Sequence, residues 1–117
     1  MKKLISILFL LFIMSCSERE NTTEILIRLK NNSSVNFDKS SFNNVEFGKL
    51  APDETSNYQS FEVAYHYGLV SIVIEGQEYG WIPIDYVGET PLKPGKYTFE
   101  YSFDTVNKVL TDKFIVD

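Results

Sequence analysis

Lys96-Tyr97-Thr98-Phe99-Glu100-Tyr101-Ser102-Phe103 alternates polar and aromatic residues without a break. A period of two puts Tyr97, Phe99, Tyr101 and Phe103 on one face and Thr98, Glu100 and Ser102 on the other. A helix would scatter the four rings around its circumference, so this stretch folds as a strand with one buried face. The rest of the chain agrees. From residue 16 onward, Val, Ile, Thr, Tyr, Phe and Trp together number 38, against eight Ala and Leu and no Met. β-branched and aromatic side chains suit a pleated surface and lose rotamer freedom in a helix.

Further strand signals follow the same logic. Glu24 to Lys30 sets Ile25, Ile27 and Leu29 against Arg28 and Lys30. Val45 to Phe47 is short, and Ser56 to Val63 carries Tyr58, Phe61 and Val63. Leu69 to Ile74 is the most apolar run and reads as a central strand. Glu75-Gly76 then forms a two-residue hairpin turn into Gln77 to Ile82. Asp104-Thr105-Val106-Asn107 turns the chain into Lys108 to Val116. Leu50 to Glu54 is a turn, and Asn31 to Asn44 is an Asn/Ser-rich connection with Val35, Phe37 and Phe42 as core anchors. Seven short strands parted by turns predict an all-β, antiparallel sandwich, transthyretin-like or immunoglobulin-like in order. The domain spans 24–117.

The N-terminus has a different character. Met1-Lys2-Lys3 is basic, and Leu4 to Met14 is apolar except for Ser6. Eleven helical residues reach only about 16 Å, short of a hydrocarbon core of about 30 Å. The layout is that of a cleaved signal peptide over 1–15. Ile13-Met14-Ser15-Cys16 resembles the lipobox of bacterial lipoproteins. The resemblance implies a diacylglycerol thioether on Cys16, cleavage just before it, and acylation of the new amine. A thiolate is the nucleophile that such chemistry requires. Two or three acyl chains at about 0.8 kcal/mol per buried CH₂ give a stable membrane anchor. Residues 16–23 then form a lipidated polar tether. Ser17-Glu18-Arg19-Glu20 resembles the acidic export signals of Bacteroidota-type lipoproteins, and equally suits a solvated spacer.

Charge narrows the partners. The whole chain carries a formal −5; without Lys2 and Lys3, nine basic residues stand against 16 acidic ones, or −7. Such a surface repels nucleic acid and anionic headgroups. The expected partners are a membrane, through the lipid on Cys16, and a glycan or protein of undefined identity. A single Cys excludes an internal disulfide and a multi-Cys metal site.

Leu92-Lys93-Pro94-Gly95-Lys96-Tyr97-Thr98-Phe99 resembles the Leu-x-Pro-Gly-x-Tyr-x-apolar signature of transthyretin-like and carboxypeptidase-regulatory-like sandwiches. There Pro94-Gly95 makes the entry turn, and Tyr97 puts its ring inside while its hydroxyl bonds a nearby backbone group. The stretches Ser60 to Tyr67 and Pro83 to Glu89, with this turn, make the chain similar to small outer-membrane lipoproteins of Bacteroidota-type bacteria. That resemblance implies location and fold, on the periplasmic or cell-surface face, and no active site.

The connection Pro83 to Pro91 is stiffened by its two end prolines. It holds Asp85, Tyr86 and Glu89, with Trp81 just before it. Aromatic and carboxylate groups on a stiff loop can stack on a sugar and accept its hydroxyls. The same segment also fits a structural crossover whose Tyr86 and Val87 plug one end of the sandwich. Asp85 and Glu89 are too few for Ca²⁺, which takes six to eight oxygens. His66 has no Gly-x-Ser-x-Gly elbow and no second histidine for zinc, so it reads as a strand-edge histidine. No catalytic residue, metal or cofactor is expected, and a small hydrolase would need Asp85 or His66 to meet a second polar group in a pocket. Asp104-Thr105-Val106 resembles the Asp-Thr-apolar O-glycosylation motif of Bacteroidota secreted proteins, which implies modification of Thr105, and it also fits an ordinary turn.

Overall fold

The computed structural model describes residues 23–83 and 89–117. Cys16, Asp85 and Tyr86 lie outside the described residues. Within them the chain forms strands β1 (Ile25–Asn31), β2 (Lys39–Phe42), β3 (Val45–Glu46), β4 (Gln59–Phe61), β5 (Val70–Ile74), β6 (Gln77–Trp81), β7 (Gly95–Asp104) and β8 (Val109–Val116), and no helix. One sheet has the order β4-β1-β7-β8 and the other β3-β2-β5-β6. The pairing of β1 with β7 is parallel and each remaining pair is antiparallel.

The strand count is eight rather than seven. The additional strand is β2, inside the stretch read as an Asn/Ser-rich connection. Its sequence is Lys-Ser-Ser-Phe, and only Ser40 and Phe42 are buried. Ser40 fills an inward position because its hydroxyl donates to the Gly48 carbonyl at 2.8 Å. Asn43 and Asn44, with φ of 51° and 66°, then turn the chain directly into β3. Two consecutive left-handed residues match the right-handed twist of a hairpin, and Asn tolerates that region.

Each strand is held by its alternation. β1 buries Ile25, Ile27, Leu29 and Asn31 in strict alternation, and β5 buries Val70, Ile72 and Ile74. β7 sends Tyr97, Phe99, Tyr101 and Phe103 inward. Phe42 of one sheet stacks on Phe99 of the other with ring centres 4.6 Å apart, and meets Phe61 edge-on at 5.8 Å. Each such ring removes about 150–250 Å² from water, and at about 25 cal/mol/Å² a few of them supply most of the cohesion. Thr98 departs from the pattern, being only 4 % exposed on the outer face. Arg28 Nε donates to its hydroxyl at 2.9 Å, and the Asp117 carboxylate lies 2.7 and 2.8 Å from the same oxygen.

The β5–β6 hairpin turns at Glu75 (φ 52°) and Gly76 (φ 79°), both left-handed, as a two-residue turn between twisted strands requires. β6 and β8 are edge strands of the two sheets and lie on the same side of the sandwich. Contacts of Tyr79 with Phe103 and of Trp81 with Tyr101 place β6 across from β7, beside β8. Two connections meet on this side. The Leu92 N–H donates to the Ala64 carbonyl at 2.8 Å, tying the β6–β7 connection to the β4–β5 connection.

Candidate functional site

The side bounded by β6 and β8 gathers aromatic groups at the border of the core and several titratable side chains. Trp81 closes β6, opposite Val70 in β5. It is half-buried, and its indole meets the Tyr101 ring at 6.1 Å with a tilt of 53°. Tyr101 lies in mid-β7, between Asn31 of β1 and Asp112 of β8. Cross-strand partners share a face, so Asp112 sits at the inward-facing register of the edge strand β8, where it stays exposed. An inward charge at an edge also discourages pairing with another chain.

The electrostatics follow from this placement. Tyr101 is completely buried, and among the described residues its hydroxyl has no hydrogen-bond partner. Burial pushes its ionisation far above the ordinary tyrosine range, and the Asp112 charge adds to the effect, so the phenol stays neutral. Asp112 is solvent-accessible as a residue, yet partial desolvation beside the interior raises its carboxyl above the usual range. The charge of His66 works in the opposite direction. His66 Nδ1 lies 3.8 Å from Glu89 Oε1, and the imidazole packs edge-on against Tyr67 and near Phe114 of β8.

Trp81 and Glu89, singled out in the sequence, therefore come to one side of the sandwich, and Glu89 faces His66. Asp85 and Tyr86 lie outside the described residues. The groups that pattern reading missed are Tyr101 and Asp112. Tyr101 looks like any member of the aromatic face of β7. Asp112 carried a signal: Leu110, Asp112, Phe114 and Val116 form one face of β8, and a carboxylate interrupts it.

On the outer face of the β3-β2-β5-β6 sheet, turned away from Tyr101, runs a groove of about 440 Å³ whose lining includes Leu69, Ser71, Glu78, Gly80 and Ile82. That is within the size range of small-molecule sites, about 300–1,000 Å³. Gly80 helps to form it: its φ is 154°, and a Cβ there would collide with the Val70 carbonyl. The Ser71 hydroxyl donates to the Glu78 carboxylate in the groove. Tyr79 and Trp81 border both the groove and the core.

The remaining sequence candidates lie elsewhere. At the β7 entry, the Tyr97 hydroxyl donates to the Lys93 carbonyl at 2.6 Å, and its ring stacks on Phe114 at 5.6 Å. Pro94 and Gly95 form the turn between them. Thr105 is exposed in the β7–β8 turn, where Asp104 Oδ1 accepts from the Val106 and Asn107 N–H groups at 2.9 and 3.1 Å. Among the described residues, His66 faces the Glu89 carboxylate and the Tyr67 and Phe114 rings. Among the described residues no three His, Cys, Asp or Glu side chains form a metal-binding group. No protein family, curated protein or solved structure matches this chain.

Proposed function

We propose that this protein is a lipid-anchored, extracytoplasmic β-sandwich acting as a non-catalytic binding or structural module at the outer membrane. The observation that carries the reading is the position of the only cysteine. Cys16 ends an apolar run behind a basic start, and the first strand begins at Ile25. The eight residues between them span at most about 26–29 Å, so a lipid on Cys16 keeps the domain close to a bilayer. The acidic body gains nothing from anionic headgroups, and the lipid alone supplies the attachment. The test is fractionation of wild-type and Cys16→Ala chains. The wild type is expected in the membrane fraction and the variant in the soluble fraction. A variant cleaved at the same bond and still bound to membrane would refute the anchor. Protease shaving of whole cells then distinguishes a surface-facing domain, which is digested, from a periplasmic one.

The strand order favours the transthyretin-like alternative over the immunoglobulin-like one. A constant-type immunoglobulin sheet holds the first, second, fifth and fourth strands together. Here β1 pairs with β4 and β7, while β2 and β5 belong to the other sheet. The Tyr97 corner supports the same choice.

A second reading, a carbohydrate- or peptide-binding accessory, is favoured by the convergence of Trp81, Glu89, His66 and Asp112 on one side. Glycan-array binding by the wild type that persists unchanged in Trp81→Ala would remove that side as the binding surface.

A further inference from the structure

A strand at the edge of a sheet leaves one side of its backbone without a ladder partner, and folds blunt such edges with short strands, prolines or charges. Four strands end the two sheets here. β3 has two residues and β4 three, and β8 carries Lys113 and, at an inward-facing register, Asp112. β6 has five residues, Gln-Glu-Tyr-Gly-Trp, with no lysine, no proline and no inward charge. Its one charge is drawn back from the edge, because the Ser71 hydroxyl of β5 donates to the Glu78 carboxylate. The edge is also open. Gln77, Glu78 and Gly80 are exposed, and Ile82, just past the strand, is 80 % exposed.

The register says which groups face outward. Ile74 and Gln77 close the two-residue turn, so they exchange both hydrogen bonds, as do Ile72 with Tyr79 and Val70 with Trp81. The Val73 and Leu69 carbonyls turn the other way and accept from Asp38 and Asn43. The N–H and C=O of Glu78 and Gly80 therefore point to the free edge, and no backbone bond among the described residues takes them up there. We propose that β6 pairs antiparallel with β6 of a second copy of this chain, in a two-fold contact centred on Tyr79. That axis sets Glu78 against the partner's Gly80 and Gly80 against the partner's Glu78, the positions whose groups are free, so four hydrogen bonds form. On the outer face each Glu78 lies beside a residue with no side chain, and the two carboxylates do not oppose each other. Ile82 falls beside the partner's Gly76 in the same way. The contact brings the two outer-face grooves side by side. It does not depend on the lipid anchor.

A strand edge of this length buries less than a standard interface, so the dimer is weak and reversible. The full-length protein in density-matched detergent is followed by sedimentation equilibrium up to about 1 mM, the weak limit of specific association. A monomer–dimer equilibrium is expected. Glu78→Pro deletes one outward N–H from each copy, and an edge strand tolerates a proline whose missing N–H faces solvent. It should raise the dissociation constant about tenfold or more, as loss of two hydrogen bonds does. Ile82→Asp sets a carboxylate diagonally beside the partner's Glu78 and should weaken the dimer as well. Its melting temperature should not change, because Ile82 is exposed. Amide exchange at Glu78 and Gly80 should slow as concentration rises. Tyr79, already bonded to β5, is the internal reference.

A monomer at every concentration would overturn the proposal. Protection of the Glu78 and Gly80 amides in that monomer would assign the edge to a segment of its own chain instead. A dimer equally tight in both variants would place the contact elsewhere, and so would a dimer whose Glu78 and Gly80 amides exchange as fast as in the monomer. If Glu78→Pro melts well below the wild type, Ile82→Asp and the exchange rates decide the matter.

Discussion

Asn31 offers the sharpest test of how the sandwich is held. It is the last residue of β1, fully buried, and sits where three segments meet. Its side-chain amide donates to the Val35 carbonyl at 2.8 Å and the Leu50 carbonyl at 2.9 Å. Its Oδ1 accepts from the Ser33 N–H at 3.0 Å and the Ser33 hydroxyl at 2.6 Å. The backbone of the same residue pairs with Glu54 and Asp53. Asn31→Ala keeps these backbone bonds and deletes the four side-chain ones. The Leu50 carbonyl keeps the Phe37 N–H as a donor at 2.8 Å but loses its second, and the four deleted hydrogen bonds are worth about 0.5–1.5 kcal/mol each, less where the Ser33 groups recover water. The expected loss is about 3 kcal/mol. For a domain of this size that lowers the melting temperature by roughly 12–24 °C. Urea denaturation measures it directly, with an unchanged slope if only the native state is affected. Hydrogen exchange should accelerate first at Ser33 and Asp53. Asn31→Asp should be at least as damaging at neutral pH, because it sets a carboxylate against two carbonyls. A loss below about 1 kcal/mol for Asn31→Ala would refute this view of Asn31 as the clasp of that end.

Other positions make independent demands. Tyr97→Phe removes the bond to the Lys93 carbonyl and should cost about 1 kcal/mol, or a fall of about 4–8 °C, read by thermal denaturation. Gly80→Ala should destabilise the protein, because the added Cβ meets the Val70 backbone and the β5–β6 pairing must shift; loss of Trp81 packing in near-ultraviolet dichroism would report it. Asp104 accepts from the backbone N–H and the side chain of Asn107, then from the Val106 N–H, and its carboxyl is held below the usual range. Its stabilising effect is full above the ordinary aspartate value and fades as pH falls through the lowered one, so wild type and Asp104→Ala should converge in stability in acid. Asp112 has the opposite sign: its raised carboxyl makes the native state less stable as pH climbs through the aspartate range. Asp112→Asn should therefore unfold at higher urea than wild type at neutral pH, with no such gain in acid. Thr105 lies exposed in its turn, and peptide mass spectrometry of protein from the native host should find a glycan on it that Thr105→Ala removes.

Seven strands are visible in the alternation of apolar and polar residues, because one face of each must be buried. β2 is hidden because its inward positions are Ser40 and Phe42, and a serine marks no face until its hydroxyl finds the Gly48 carbonyl. The Asn43-Asn44 hairpin is hidden for a related reason: asparagines suit both loops and tight turns. The parallel register of β1 on β7 cannot be read locally, since nothing in either strand records which distant strand lies beside it. The candidate site is legible only at its rim. Trp81 and Glu89 stand out by type, whereas Tyr101 and Asp112 gain meaning from facing each other across two strands. The role of His66 likewise depends on a long connection bringing it to Glu89.

The central claim, that this is a domain held to a membrane by a lipid on its only cysteine, is tested most directly by intact-mass spectrometry of the protein extracted from its native membrane. The account predicts a chain that begins at Cys16 and carries a diacylglycerol thioether and an N-acyl group. An unacylated chain, or one that retains residues 1–15, would contradict it.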